Sequence, residues 1–157
     1  MQHQDVAVII RLSRRDDVPA IVALLADDPL GATRETNTDP LPAAYWQAFD
    51  DIAAQNGNFV FVAERGGAII GCLQLTIIPG LSRRGMKRAL IEAVRVGAGS
   101  RGLGVGERLV RHAINKAREA GCGLVQLTTD KSRVDAHRFY ERLGFVASHL
   151  GMKLALE

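Results

Sequence analysis

Apolar residues recur along this chain with two different spacings. Between Gly106 and Ala120, Leu109, Val110, Ala113, Ile114 and Ala117 fall on one face at helical spacing, and Gly121 stands where a C-cap belongs. The pattern predicts a helix there. Ala136, Phe139, Tyr140 and Leu143 predict a shorter one, stopped by Gly144. Val18, Ile21, Val22 and Leu25 predict a helix near the start, after Ser13-Arg14-Arg15-Asp16, which has capping-box form. Pro19 is compatible only with its opening turns. Ala43 to Ala54 reads as another helix, closed by Asn56-Gly57. Alternating or short continuous apolar runs predict strands at Val6 to Leu12, Phe59 to Glu64, Ala68 to Ile78, Leu90 to Val96, Leu124 to Thr128, Phe145 to Ser148 and Met152 to Leu156. Arg65-Gly66-Gly67 reads as a three-residue hairpin connection, Asp27 to Pro42 as a long loop, and Ser82 to Arg88 as a basic loop.

The element order is then βααβββαβαββ. A three-strand meander followed by a βαβ unit implies an α/β (α+β) fold, a mixed sheet with helices on both faces. Length, with no repeat and no linker, implies a single domain over residues 1–157. The chain is 47% hydrophobic and 24% charged, as expected of a soluble globular protein. A net charge of +3 suits an anionic ligand but is too small to argue for nucleic acid. Cys72 and Cys122 have no metal spacing and read as reduced thiols of a cytoplasmic protein. No leader pattern opens the sequence, and its apolar runs fall short of the ~20 residues of a membrane span. No metal site and no membrane or nucleic-acid partner is expected.

Composition changes the picture most at residues 94–106, VRVGAGSRGLGVG, where five of thirteen residues are glycine. The run precedes the clearest helix, so backbone amides are expected to approach an anion. Two registers compete. Gly97 to Gly102 matches the dinucleotide pattern G-x-G-x-x-G, which requires an acid about 20 residues on, at the end of the next strand. Asp130 lies 28 residues beyond Gly102, and Glu119 sits on the helix, so this register fits badly. Arg101-Gly102-Leu103-Gly104-Val105-Gly106 matches R-x-x-G-x-G. It places amides and an arginine at the mouth of the helix, where a pyrophosphate can be held. In that register Gly97 and Gly99 serve the turn.

The R-x-x-G-x-G loop between a strand and a long helix, followed about 35 residues later by Ala136-His137-Arg138-Phe139-Tyr140-Glu141-Arg142-Leu143-Gly144-Phe145, resembles the GCN5-related N-acetyltransferase (GNAT) superfamily. The resemblance covers nearly the whole chain. It implies a mostly antiparallel sheet of six or seven strands, acetyl-CoA as donor, and a primary amine as acceptor attacked directly in a ternary complex. It also implies a splay between the strand at 90–96 and the strand at 124–128, with backbone contacts from Val94 and Val96 to the pantetheine arm. The Val94 N–H is implied as the oxyanion donor. One departure stands out: the family often has Asn three residues before the alanine of the last helix, and here that residue is Arg133. Arg133 could face the 3′-phosphate of the coenzyme or solvent.

Acetyl transfer needs the ammonium deprotonated, the oxyanion stabilised and the thiolate protonated or tolerated. Glu92 is a carboxylate among apolar neighbours. Alternation puts Leu90, Glu92, Val94 and Val96 on one face and Ile91, Ala93 and Arg95 on the other. General base through water and a solvent-facing or ion-paired glutamate are the readings of Glu92. The resemblance implies Tyr140 as the acid for the sulfur; its alternative role is packing. His112 is expected to face solvent and His137 the surface or the adenine. Arg34 and Glu35, in the long loop, are candidate acceptor contacts for a carboxylate or an ammonium. Both a small-molecule and a protein amine remain open, as does a homodimer. A coenzyme A-binding module without turnover is the alternative function, and dinucleotide binding a remote one. A binding module needs the glycine loop but neither Glu92 nor Tyr140.

Overall fold

The computed structural model describes residues 6–156. The elements are β1 (Val8–Leu12), α1 (Val18–Ala26), α2 (Gly31–Arg34), α3 (Ala43–Ala54), β2 (Asn58–Arg65), β3 (Ala68–Ile78), α4 (Ser82–Gly85), β4 (Lys87–Val96), α5 (Val105–Glu119), β5 (Cys122–Leu127) and α6 (Val134–Arg142). The chain divides into two compact units, residues 1–126 and 127–157.

In the first unit the sheet order is β1-β2-β3-β4-β5, and the three pairs from β1 to β4 are antiparallel. Pairing brings Phe61, Leu73, Leu75 and Ile91 onto one sheet face. Helix α5 covers that face with Val105, Leu109 and Val110, all at most 2% exposed. The tight seat of α5 is visible at Gly71, where an added Cβ would lie 3.0 Å from Leu109 and 3.2 Å from Val105. Full burial of each such Leu or Val contributes about 1.5–3 kcal/mol. Val62 and Cys72 lie on the opposite face, under Leu24 and Ile21 of α1.

The hairpin between β2 and β3 is tighter than the sequence suggested. Arg65 pairs with Ala68, so the connection is the two residues Gly66 and Gly67, with φ of 58° and 82°. Two successive positive φ values give the primed turn that matches strand twist. The helix-start signal also moves. Asp17, not Asp16, reaches back, its Oδ2 accepting the Arg14 N–H at 2.7 Å. Arg83 and Arg84 in α4 have φ of 52° and 62°, so this short element is a left-handed turn rather than the start of a helix. The expected strands at 145–148 and 152–156 are not formed: among the described residues the sheet has five strands rather than six or seven. Alternation sets which face a strand would bury, but it does not by itself supply the backbone partner that makes the segment a strand. No helix among the described residues is long and apolar enough to cross a membrane.

Asp17 is, among the described residues, the buried charged residue of the first unit, 9% exposed. Arg11 grips it with Nη1 to Oδ2 at 2.7 Å and Nη2 to Oδ1 at 3.0 Å, and also reaches Glu64 at 3.2 Å. The Arg11 bonds hold the Asp17 carboxyl below its ordinary pKa, outweighing the opposing effect of burial. A depressed folded pKa means that the stabilisation is present above the unfolded value near ~3.9 and is lost as pH falls through the folded value. Asp17→Asn is therefore expected to lower unfolding free energy by about 3 kcal/mol at pH 7, because Arg11 is left without its main counter-charge. The deficit relative to the wild type should shrink as the wild type is acidified. Urea titrations at pH 7 and pH 3 check both statements; equal deficits at the two pH values contradict the assignment.

Candidate functional site

Strand β4 leads directly into the glycine loop. The Gly97 N–H bonds Ile70 O at 2.8 Å, and a single 3-10 turn over Ala98–Ser100 follows. Gly102 and Gly104 then have φ of 80° and 76°, a region closed to most side chains, and a Cβ at either would meet nothing within 4 Å. Gly104 is the N-cap of α5, and the Arg108 N–H closes the first helical turn on Gly104 O at 3.1 Å. Helix geometry leaves the amides of Val105, Gly106 and Glu107 without intrahelical acceptors. These amides and two open left-handed glycines form a donor surface at the positive end of a fifteen-residue helix. Leu103 is 59% exposed, whereas Val105 is 2% exposed, so Val105 offers only its backbone. Arg101 is exposed, and its Nε donates to Val96 O at 3.4 Å. A pyrophosphate suits this surface: it has donors, helix polarity, a nearby cation and open space at Gly102 and Gly104.

Uniform alternation along β4 fails at one residue. The register passes from Gln74↔Glu92 to Cys72↔Arg95, so Ala93 and Val94 together oppose Leu73. Ala93 has φ of 53° within the strand. This is a β-bulge, and the extra residue reverses the facing of everything beyond it. Glu92 therefore shares a face with Arg95, while Val96, opposite Gly71, joins the α5 face; Glu92 and Val96 are on opposite faces. A non-glycine residue in the left-handed region costs about 1–2 kcal/mol, which the surrounding pairs must hold in place.

The bulge is fastened from the other side. Asp28 Oδ2 lies 2.8 Å from Arg95 Nε as an ion pair, and Asp28 Oδ1 accepts from the amides of Leu30 and Gly31 at 2.8 Å. Arg95 Nη1 donates to Val94 O at 2.9 Å. The start of the long 27–42 segment is thus tied to the bulge by an acid whose side chain is 7% exposed. Arg34 is exposed, whereas Glu35 accepts from the Tyr45 hydroxyl at 3.0 Å. A cleft of about 510 Å³ lies beside this segment, lined by Leu24, Asp27, Asn37 and Ile69.

Glu92 is exposed, and its cross-strand neighbour is Gln74. Gln74 Nε2 donates to Asn58 Oδ1 at 3.1 Å, and Thr76 Oγ1 lies 3.4 Å from the same oxygen. Asn58, Gln74, Thr76 and Glu92 thus make a polar strip on three adjacent strands. Sequence reasoning missed the first three. A signal was present, because Gln74 and Thr76 are the polar alternates of an otherwise apolar β3.

Arg133 and Tyr140 belong to the second unit. Arg133 is the N-cap residue of α6, its N–H bonding Asp130 O at 3.0 Å. Tyr140 is half-buried, with its ring edge-on to Phe139 at 5.0 Å and Phe145 at 5.8 Å. His137 Nε2 lies 3.0 Å from Asp130 O. His112, in the first unit, differs from its expected solvated position: it is half-buried, edge-on to Phe61 at 4.6 Å, and desolvation lowers its pKa. Burial raises the Cys72 thiol to about 12, which makes it inert packing.

Comparison with known proteins adds to this geometry. The model of the acetyltransferase (GNAT) family matches residues 19–145. An aminoalkylphosphonate N-acetyltransferase of Salmonella typhimurium is 30% identical, over 94% of this chain and 100% of its own. A crystal structure described as a transcriptional regulator from Bacillus halodurans is 48% identical with a TM-score of 0.94, over 96% of this chain and 100% of that one. A putative acetyltransferase from Agrobacterium tumefaciens is 31% identical with a TM-score of 0.79, over 94% and 99% of the two chains.

Proposed function

Because the chain belongs to the GNAT acetyltransferase family, we propose that it moves an acetyl group from acetyl-CoA to an amine by direct attack within a ternary complex. The observation that carries this reading is the open donor surface made by Gly102, Gly104 and the first amides of α5. It suits the pyrophosphate of coenzyme A, with Arg101 turning from Val96 O towards it. Acetyl-CoA supplies an activated thioester. Glu92, exposed on the polar strip, removes a proton from the acceptor ammonium through water, so that the amine lone pair can attack the acyl carbon. The bulge at Ala93 sets the Val94 N–H apart from regular pairing with β3, which suits it to the developing oxyanion. Attack leaves the nitrogen one proton in excess, which it loses to water as the tetrahedral intermediate collapses; as the C–S bond breaks, the sulfur takes a proton from the Tyr140 hydroxyl, which solvent then restores. Backbone at Val94 and Val96 aligns the pantetheine arm, and Arg133 is the candidate partner of the 3′-phosphate. Free thiols at Cys72 and Cys122 suit a reducing, cytoplasmic setting.

The acceptor is an amine whose class is open between small molecules and proteins. The Salmonella relative is named for aminoalkylphosphonates, which makes small amines bearing an anionic group the first class to test, with Arg34 as their candidate contact. Glu35 enters as the neighbour that fixes the loop through Tyr45.

The test is acetyl-CoA-dependent thiol release over aminoalkylphosphonates, amino acids, aminoglycosides and peptide amines, with Tyr140→Phe run alongside. Turnover with at least one class is expected. Tyr140→Phe should fall about 10- to 100-fold with coenzyme A affinity unchanged, because it loses only the proton donor. The second reading is a coenzyme A-binding module without turnover, which needs the glycine loop but neither Glu92 nor Tyr140. Coenzyme A binding without turnover on any acceptor favours that module.

A further inference from the structure

Two distant segments of the first unit meet through one chain of polar contacts. It begins where the 27–42 segment opens. Asp28 Oδ1 accepts from the amides of Leu30 and Gly31, and the Ala32 N–H bonds Asp28 O at 2.9 Å. Gly31 is seated against the end of α1, where an added Cβ would collide with Leu25 O. Asp28 and Gly31 together therefore fix the position of α2. The other oxygen of Asp28 forms the ion pair with Arg95 Nε, and Arg95 Nη1 donates to Val94 O. One guanidinium thus spans from an anchored loop to the bulged backbone of β4.

The bulge needs such a hold. Ala93 and Val94 together oppose Leu73, so the ladder to β3 does not set their peptide planes in the regular way. Ala93 also has a φ that side chains rarely adopt, which persists only where the surroundings over-determine it. Ala93 O lies 3.6 Å from the Sγ of buried Cys72. The peptide is planar and trans, so the Val94 N–H points away from Cys72. The next peptide is held through Val94 O by Arg95. Both planes that flank the Val94 Cα are thereby set, one from the core and one by a side chain paired with the loop. A largely buried ion pair is a poor source of stability, because desolvation offsets most of its attraction. What this one supplies is direction.

We propose that Asp28 and Arg95 are positioning residues for acetyl transfer. They lock the Val94 N–H in place as the oxyanion donor and tie it to the segment that carries Arg34 and Glu35. The role rests on the acetyl-transfer reading. A donor fixed before reaction needs no reorganisation as charge develops, which is where its effect on rate comes from. Neither side chain has to touch the reacting atoms: Arg95 acts through the Val94 backbone, and Asp28 acts through Arg95.

Asp28→Asn and Arg95→Lys cut the chain at different links. Asn keeps an oxygen for the Leu30 and Gly31 amides but loses the charge that faces Arg95. Lys keeps a charge for Asp28 but, with one ammonium in place of a fork, cannot also hold Val94 O. With an acceptor that the wild type turns over, each variant should lower kcat about 10- to 100-fold, less than outright removal of an oxyanion donor. KM for acetyl-CoA and for the acceptor should stay within about twofold, the signature of an interaction made only in the transition state. The loss should be alike for every amine accepted, because each passes through the same oxyanion. The double variant should fall no further than the worse single one, since both substitutions break one chain. Unchanged kcat in the folded variants, a loss confined to the acceptor KM, or additive losses in the double variant each overturns the proposal. If Asp28→Asn fails to fold, Arg95→Lys, which keeps both charges, decides. A wild type that binds coenzyme A but turns over no amine overturns the acetyl-transfer reading, and this role with it; the wild type alone tells that outcome from the others.

Discussion

Gly104→Glu is expected to weaken coenzyme A binding by roughly 100-fold or more, the largest effect of any single substitution in the loop. Two causes act together. The new carboxylate would stand in the open space before the α5 amides, where a Cβ now meets nothing within 4 Å. Like charges brought together at a binding surface cost several kcal/mol, and each 1.4 kcal/mol is tenfold in affinity. The second cause is backbone: φ of 76° at residue 104 is costly for a side chain. Gly104→Asn separates the two, since Asn tolerates the left-handed region and carries no charge. It should lose far less affinity than Gly104→Glu. Gly106→Glu, inside the helix, isolates the charge without the backbone strain. Calorimetric titration with coenzyme A checks all three. Near-wild-type affinity in folded Gly104→Glu and Gly106→Glu would show that the phosphate lies elsewhere.

Glu92→Gln should lower turnover at pH 7 by about 100-fold with coenzyme A affinity unchanged. Only the neutral amine attacks, and a lysine-like amine with pKa ~10.4 is almost wholly protonated at that pH. The deficit should narrow as pH rises, because the acceptor then loses its proton to solvent. The structure sharpens the comparison. Gln74 is the cross-strand neighbour of Glu92 and is held by Asn58. Gln74→Ala should therefore raise KM for the acceptor more than it lowers kcat, since it alters the seat and not the base. A pH–rate profile of Glu92→Gln parallel to wild type at every pH removes Glu92 from the proton path.

The elements that were legible in the sequence are those whose cause is local. The α5 face from Leu109 to Ala117 follows from spacing alone. The glycine loop follows from residues whose chemistry tolerates little else: a helix entered through Gly102 and Gly104 needs positive φ and an uncluttered approach. The start of α5 at Gly104, the short α6 bearing Tyr140 and the meander of β2, β3 and β4 were readable for the same reason. The matched family model spans both motifs.

What the tertiary structure decided depends on partners distant in sequence. The bulge at Ala93 has no composition signal of its own. It exists because Cys72 and Gln74 pair with Arg95 and Glu92, leaving one residue over. That single residue overturned the alternation that grouped Glu92 with Val96. Asp28 acquired its role from Arg95, 67 positions away, and Asn58, Gln74 and Thr76 became a strip only when three strands lay side by side. His112 moved from solvent to Phe61 because a sheet face, not its own helix, determines what it meets. The closing strands marked by alternation at 145–148 and 152–156 show the same limit from the other direction. A period of two states which face a strand would bury, but backbone pairing needs a second edge, and the sequence of one segment cannot say where that edge is.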